Sequence, residues 1–512
     1  MKSTPLNETQ PINREALLKQ FEQTLDYVEE AYAIGKAAHE VEQGIFTKLL
    51  KLGFSLLGMF FHLYGTGDQG SKLLLPNGKT VKRLDKLRTR DYLSIFGLHQ
   101  LKRVVYGTRE KKKIQWVPLD AQLSLPESKF SYLLQDWSQD IAGDVPFDQV
   151  NGVLGKILGI TQSVHSLERT NRKMSASTAA FWEQKEPPAA EDEGALMVVQ
   201  ADGKGVVMRP EAGKEAIKGV EAPNLEGKKA EGKRGKKKMA LVGAVYTVDP
   251  YIRTPKQVLD ALFRSNDKKV APQARPKPVA KHVRASLLRD ANDTMTPSYQ
   301  EIFSWQAQMV RERNPDLQKP VIFLMDGQES LWNAIPKYFP GVPVIQILDI
   351  IHATSYLWDA AHLFYSKGST AATTYAKKQI ERMLNGRIKM VIRGLRWKGS
   401  HEKLKGEKAD QLKKICGYLE NNRHRMAYND YLAKGYPIAS GVIEGACRNI
   451  IVDRMEHSGM RWVMTGAHAM LELRCIKLSG LWDEFTEFRI KQENERLYPG
   501  KAANDDCLLK VA

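Results

Sequence analysis

The feature that most constrains this 512-residue chain is the alternation of short apolar runs with helical patterns between Ala195 and Tyr365. ALMVVQADGKGVVMRP reads as a strand or hairpin and MALVGAVYTV as a strand, and Pro297 to Glu312 reads as a helix. Then come KPVIFLMD (strand), ESLWNAIPKYF (helix), VPVIQILD (strand) and IIHATSYLWDAAHLFY (helix). Short apolar runs bounded by turn residues suit buried strands, and apolar positions at 3.6-residue spacing suit the helices that cover them. Strands alternating with helices give an α/β layer with at least some parallel pairing. Sites in such sheets gather at the C-terminal ends of strands. Asp202 closes VVQAD, Asp326 closes VIFLMD, and Glu444 sits in the first turn of a late helix, SGVIEGACRNIIVDRMEHSG, bounded by Ser440 and Gly459.

Three acids from distant segments suit phosphodiester chemistry. Cleavage needs a more acidic nucleophile and a stabilised leaving oxyanion, and two divalent ions about 4 Å apart supply both. Mg²⁺ prefers oxygen ligands and is commonly held by one or two carboxylates with substrate phosphates. Each acid also has a structural reading. Asp202-Gly203 is a hairpin-turn signature, Asp326 with Glu329 resembles a cap and its capping-box partner, and Glu444 complements a helix dipole.

The charge balance agrees with a polyanionic partner. Lysine and arginine outnumber aspartate and glutamate by 77 to 59, a formal net charge of +18, and cations displace the counterions of phosphates. Cys416, Cys447, Cys475 and Cys507 form no CxxC pair, which argues against a zinc ribbon or a disulfide framework. The polar start, MKSTPLNETQPINRE, lacks the apolar core of a signal peptide. Leu52 to Tyr64 is too short to span a bilayer and reads as a buried helix. A cytoplasmic, nucleoid-associated protein without a membrane partner is the expectation.

Upstream, EALLKQFEQTLDYVEEAY and IFTKLLKLGFSLLGMFF repeat at helical spacing. YLSIFGLHQLKRVVYG reads as a strand pair or mixed element, and PLDAQLSLP as a connector. A helix from Phe147 to Leu158, a stop at Gly159, and a second helix from about Thr161 or Ser163 carrying Arg169, Arg172 and Lys173 follow helix-turn-helix grammar. An ordinary helical hairpin has the same pattern. KKAEGKRGKKK, with Lys233, Arg234 and Lys236, reads as a DNA-flanking or simply solvated loop. Thr370 to Asp430 is helical and basic, Met464 to Phe488 continues as helix, and the tail from Pro499 is expected to fray.

The order VVQADGKGV, VIFLMDGQESLW, VIQILDIIHATSYLWDAA and GYPIASGVIEGACRNIIVDRMEHSGMRW resembles the ISKra-type insertion-sequence transposases. More broadly it is similar to DDE transposases with an all-helical insertion, such as the Mutator-like and hAT-like groups. The resemblance covers Ala195 to Leu481, and Gly435 to Trp462 is its most specific block. It implies an RNase H-like core, Asp202, Asp326 and Glu444 as catalytic metal ligands, Mg²⁺ (or Mn²⁺) as a two-ion cofactor, and terminal inverted repeats plus target DNA as partners. Such an enzyme hydrolyses the element end to free a 3′-OH, which then attacks target DNA. Pairing two DNA ends implies a homodimer or larger assembly.

Asp326 to Glu444 spans 118 residues (444 − 326), more than a plain RNase H-like core holds. The expected order is therefore a helical region (1–65), a basic mixed region (66–126), a helix-turn-helix-like DNA-binding region (127–183), the first part of the core (195–369), a helical insertion (370–434), the final core helices (435–490) and a tail (491–512). Asp349 and His352 form a D-x-x-H pair after the next strand. They orient a metal ligand or scissile phosphate, or else merely cap a helix, and Asp349 is the rival to Asp326 as second catalytic acid. Asp326 is favoured because it follows the fourth predicted strand, where this fold type places that ligand. Arg448, one turn after Glu444, is expected to touch phosphate, orient the carboxylate or form an ordinary salt bridge. Arg461, Trp462 and Trp397 are candidates for contacting unpaired bases, with packing as the alternative for both tryptophans.

Overall fold

The computed structural model describes residues 13–499, except for 76, 109–112, 210–236, 265–273, 288–297 and 457–458. The chain divides into two compact units, Met1–Thr170 with Asp483–Ala512, and Asn171–Trp482.

The first unit opens with α1 (Arg14–Ala33), capped by Asn13, and α2 (Ala38–Leu63). They run antiparallel: the Tyr27 hydroxyl donates to the Glu40 carbonyl at 3.1 Å and Lys48 Nζ to the Gln23 carbonyl at 3.3 Å. The expected buried helix at Leu52–Tyr64 is corrected here. It is the end of a 26-residue helix in which Phe61 alone, among the described residues, is fully buried. By length and composition α2 could cross a membrane. The strand-pair reading after it holds, as Arg88–Ser94 and Gly97–Arg103 form an antiparallel hairpin. A four-stranded sheet flanks that hairpin in sequence. The proline-limited connector is a short buried helix, Pro118–Gln122, because proline at the first turn forfeits no intrahelical bond. Its Asp120 accepts from Arg90 and Arg103.

The helical hairpin is as read: α3 (Phe147–Leu158) ends at Gly159 with φ 69°, and α4 (Val164–Ser175) follows, with Ser163 Oγ accepting from Ser166 N at 3.1 Å. The boundary between units falls inside α4. The predicted continuous helix Met464–Phe488 is two helices, Met464–Leu478 and Trp482–Leu497, broken where Gly480 takes φ 73°. The second belongs with the first unit. Arg489 there donates to Gln135, and the Tyr498 hydroxyl donates to the Leu125 carbonyl at 2.6 Å, so the chain is packed up to Tyr498, and the tail expected to fray lies, beyond Pro499, outside the described residues.

The second unit is mixed α/β. Its sheet holds β1 (Leu196–Val207), β2 (Lys237–Val248), β3 (Val279–Leu287), β4 (Val321–Met325) and β5 (Val344–Leu348), in the spatial order β5-β4-β1-β2-β3. β1, β2 and β3 are successive antiparallel neighbours, and β4 and β5 run parallel to β1. β3 escaped the sequence reading because KHVRASL interleaves cations with its apolar residues. Period-2 alternation sorts β1 and β4 cleanly. Met197, Val199, Val321 and Phe323 bury against helices Ser298–Arg313 and Glu329–Tyr338. Leu196, Val198, Ile322 and Leu324 bury on the other face, under α5 (Ile350–Phe364) and the helices between Thr370 and Ala433.

Those later helices, the expected insertion, include α6 (Glu407–Asn422) and close the open edge at β5. The Tyr428 hydroxyl donates to the Leu348 carbonyl at 2.9 Å and the Tyr431 hydroxyl to the Gln346 carbonyl at 3.2 Å, occupying acceptors that an edge strand otherwise exposes. Replacing Tyr428 with Phe removes one of these donors from a fully buried position. We expect a loss of ~1 kcal/mol in unfolding free energy, seen as a lower denaturant midpoint with unchanged slope.

Candidate active site

Register brings the acids together. β4 pairs β1 with Val321 opposite Met197, an offset of 124 (321 − 197) that also separates Asp326 from Asp202 (326 − 202). β5 pairs β4 with Val321 opposite Val344 through Met325 opposite Leu348, an offset of 23 (344 − 321) that also separates Asp349 from Asp326 (349 − 326). Carried past the last paired residues, the same registers align Asp202 within β1 with Asp326, one residue after β4, and Asp349, one residue after β5, in one transverse row. By strand alternation they share the face of Val198, Leu324 and Ile347, beneath α5 and the later helices.

Asp202 lies inside β1, opposite Val242 of β2, and the strand runs on to Val207. The hairpin-turn alternative for Asp202-Gly203 is thereby removed, as is the reading of Asp202 as the strand's last residue. Burial pushes the Asp202 carboxyl above the usual carboxylate range and the Asp326 charge pushes it further, against the Gly203 amide, the Cys447 thiol and His352. Asp326 is half-buried, and one of its oxygens accepts from Gln328 N at 2.9 Å. The following helix is capped at Gln328, so the capping box imagined for Asp326 and Glu329 is absent. Gly327 is required for space: a Cβ there would lie 2.2 Å from the Tyr418 ring of α6.

Asp349 is fully buried and its carboxylate is committed. It caps α5 by accepting from Ile351 N at 3.0 Å, and also accepts from Ser440 N at 3.3 Å and Ser440 Oγ at 2.7 Å. The helix-cap reading of Asp349 is thus met, and the same carboxylate lies one residue beyond β5. Ser440 immediately precedes α7 (Gly441–Cys447), which carries Glu444, and its hydroxyl is 3.2 Å from Glu444 Oε1.

Gln200 docks α7 from below. This fully buried residue lies two before Asp202, on the same face of β1, and its Oε1 accepts from Ile443 N at 3.0 Å. Cys447 Sγ lies 3.5 Å from Asp202 Oδ2, and burial beside that carboxylate pushes the thiol far up, so it stays protonated. Sequence reasoning missed Gln200, Ser440, Cys447 and Tyr418. The one available signal was Gln200, a lone amide in the apolar run MVVQAD.

Two adjacent groups result. Asp349, His352 and Glu444 offer ligand atoms all within 4.8 Å of one another and could hold a metal ion. Asp202 and Asp326 are coupled beside them, and His352 acts electrostatically on Asp202. The mutually close set is thus not the triad taken from the sequence, although all of its members adjoin. Tyr356 and Tyr418 stack with ring centroids 3.7 Å apart, and the Asp326 charge, after burial, helps raise both hydroxyls above their ordinary range.

The late helix ends at Met455 rather than Gly459, and Arg448–Val452 is a π-turn. Such turns gather at functional sites. Arg448 points to solvent and pairs with Asp453, five residues on, at 3.5 Å. Arg461 precedes Trp462, which is buried, donates Nε1–H to the Met455 carbonyl at 3.0 Å and packs beneath Arg454. Trp397 is exposed and stacks on His401. Arg169, Arg172 and Lys173 are exposed along α4, while Lys233, Arg234, Lys236 and Cys507 lie outside the described residues.

No protein-family model and no curated protein match the chain. Among solved structures it is similar to the Drosophila P element transposase strand transfer complex, at 10% identity over 75% of this chain and 86% of that one, with a TM-score of 0.24. So low a likeness leaves the site to be judged on its own residues.

Asp202 supplies a stability test. Its raised folded-state pKa means that the metal-free protein loses stability as pH rises from the ordinary aspartate value of about 3.9 through the raised one, and bears the full penalty above it. Asp202→Asn should therefore raise the melting temperature at pH 7 without divalent cations, by roughly 2 °C. Near pH 3 the gain should vanish.

Proposed function

We propose that the chain is a DDE-type DNA transposase with an RNase H-like core, in which Asp202, Asp326 and Glu444 hold divalent metal and Asp349 and His352 support them. The observation that carries this reading is the register: it aligns an acid within β1 with acids just past the ends of β4 and β5, and Glu444 meets them on a helix docked through Gln200. A sheet of three antiparallel strands followed by two parallel ones suits that core. The helices 370–434 suit an insertion between the second and last acids.

The donor set fits a hard cation. All the acids present oxygen, and the electrostatic strain between Asp202 and Asp326 is of the kind a divalent ion relieves. Bound Mg²⁺ or Mn²⁺ would acidify the attacking water or 3′-OH and stabilise the leaving oxyanion. The chain's own groups do the rest. Asp326, half-exposed with one oxygen engaged, is the better ligand. Asp349, held by three donors, fixes Ser440 and through it Glu444. Exposed Arg169, Arg172 and Lys173 on α4 are proposed to meet the terminal repeats, and the +18 net charge favours DNA broadly.

The test is Mg²⁺-dependent cleavage and strand transfer on DNA flanking the gene. Asp326→Asn should lose cleavage by more than ~100-fold, while Asp349→Asn should weaken it roughly 10–100-fold, the range for residues that orient ligands. The reverse ranking moves the second ligand to Asp349. Cleavage without joining means a nuclease, and inactivity of the wild type with Mg²⁺ and Mn²⁺ rejects the catalytic reading.

A further inference from the structure

We infer that the α1–α2 hairpin is a self-association surface, pairing face to face with the same hairpin of a second copy of this chain as a four-helix bundle. On α1, Leu18, Phe21, Leu25, Val28 and Tyr32 are exposed and follow one another at intervals of three and four residues. On α2, Phe46, Leu49, Gly53, Leu56, Phe60 and Leu63 do the same, and all but Gly53 are exposed. This is the apolar heptad spacing of a helix–helix seam, sustained over both helices and, apart from Phe96 at Gly53, left exposed among the described residues. Gly53 does not interrupt it, because the Phe96 ring occupies the space where a Cβ would stand.

Both seams lie on one side of the hairpin. Tyr27 faces α2, its hydroxyl on the Glu40 carbonyl and its ring against Gly44, and the exposed Val28 is one residue further on. Lys48 faces α1, and the exposed Leu49 is one residue further on. One residue is a rotation of about 100° in the same sense on each helix. Because the helices are antiparallel, equal rotations away from their contact carry both seams to the same flank.

A flank of two parallel-lying stripes is the inner face of an up-down bundle, and its complement is another such pair. The hairpin is about 30 Å long over α1 and about 20 Å across two helices, so roughly 600 Å² per copy is available. That is close to the ~800 Å² per partner of a standard stable interface. A lipid surface is the poorer occupant. α1 carries five acidic residues against two basic ones, and Lys48 and Lys51 interrupt α2. This inference does not depend on the catalytic reading.

The experiment is sedimentation equilibrium on the full chain at micromolar concentration, comparing wild type with a Leu25→Glu, Leu56→Glu double variant. Both leucines are about half exposed, at 50% and 51%, so the monomer fold should survive with an unchanged circular-dichroism melt. Wild type should sediment at twice the 57.8 kDa chain mass. The variant should dissociate with a constant raised on the order of 100-fold. A Lys19→Glu control, off the seam, should remain dimeric. A monomeric wild type, or a variant as dimeric as wild type, overturns the proposal. So does a wild type that is monomeric in solution yet co-sediments with phosphatidylcholine–phosphatidylglycerol vesicles, which would assign the face to lipid.

Discussion

The parallel registers of β1, β4 and β5 are the constraint on which the second unit depends. Adjacent strands stand about 4.8 Å apart, so aspartates in one row meet at a distance where like charges repel strongly under partial burial. The chain meets this repulsion differently at each acid. Asp349 is buried and accepts hydrogen bonds from three donors. Asp326 stays half-exposed, and Asp202, two residues after the buried Gln200 on β1, holds its proton more tightly than an ordinary aspartate. Beside them, Asp349, His352 and Glu444 bring ligand atoms within 4.8 Å of one another, where a metal ion could be held.

The helices 370–433 answer a related problem. β5 is an edge strand whose carbonyls would otherwise lack partners, and Tyr428 and Tyr431 supply donors to two of them. From the same helical segment, α6 sets Tyr418 over Gly327 beside Asp326. Edge protection and the wall of the site thus come from one run of chain. Its burial against Leu324, Ile347 and α5 makes that face of the sheet a core as well as a site.

Strand and helix identity were legible where the apolar period was clean. VIFLM, VIQIL and MALVGAVYTV are strands as read, and Phe147–Leu158 is a helix with its glycine stop as read. The reading failed where another effect set the local structure. β3 interleaves cations and went unseen. Pro118 starts a buried helix instead of blocking one, and Gly480 divides a helix that periodicity alone would have continued. α2 has an apolar composition that suggests burial, yet among the described residues Phe61 alone is buried, because composition does not specify where a partner stands.

The sequence by itself determined which acids close apolar runs and which residues repeat at helical or heptad spacing, since these are local periodicities of side-chain chemistry. Only the tertiary structure decided that Asp202, Asp326 and Asp349 share a row. Strand register depends on how residues 124 positions apart (β1 with β4) and 23 apart (β4 with β5) pair, and a slip of one residue would turn an aspartate to the opposite face. It also decided that Asp349 is occupied while Asp326 is available, and that Gln200 and Ser440 bring Glu444 to the row. Those relations are hydrogen bonds between segments up to 243 residues apart, and no local pattern encodes them.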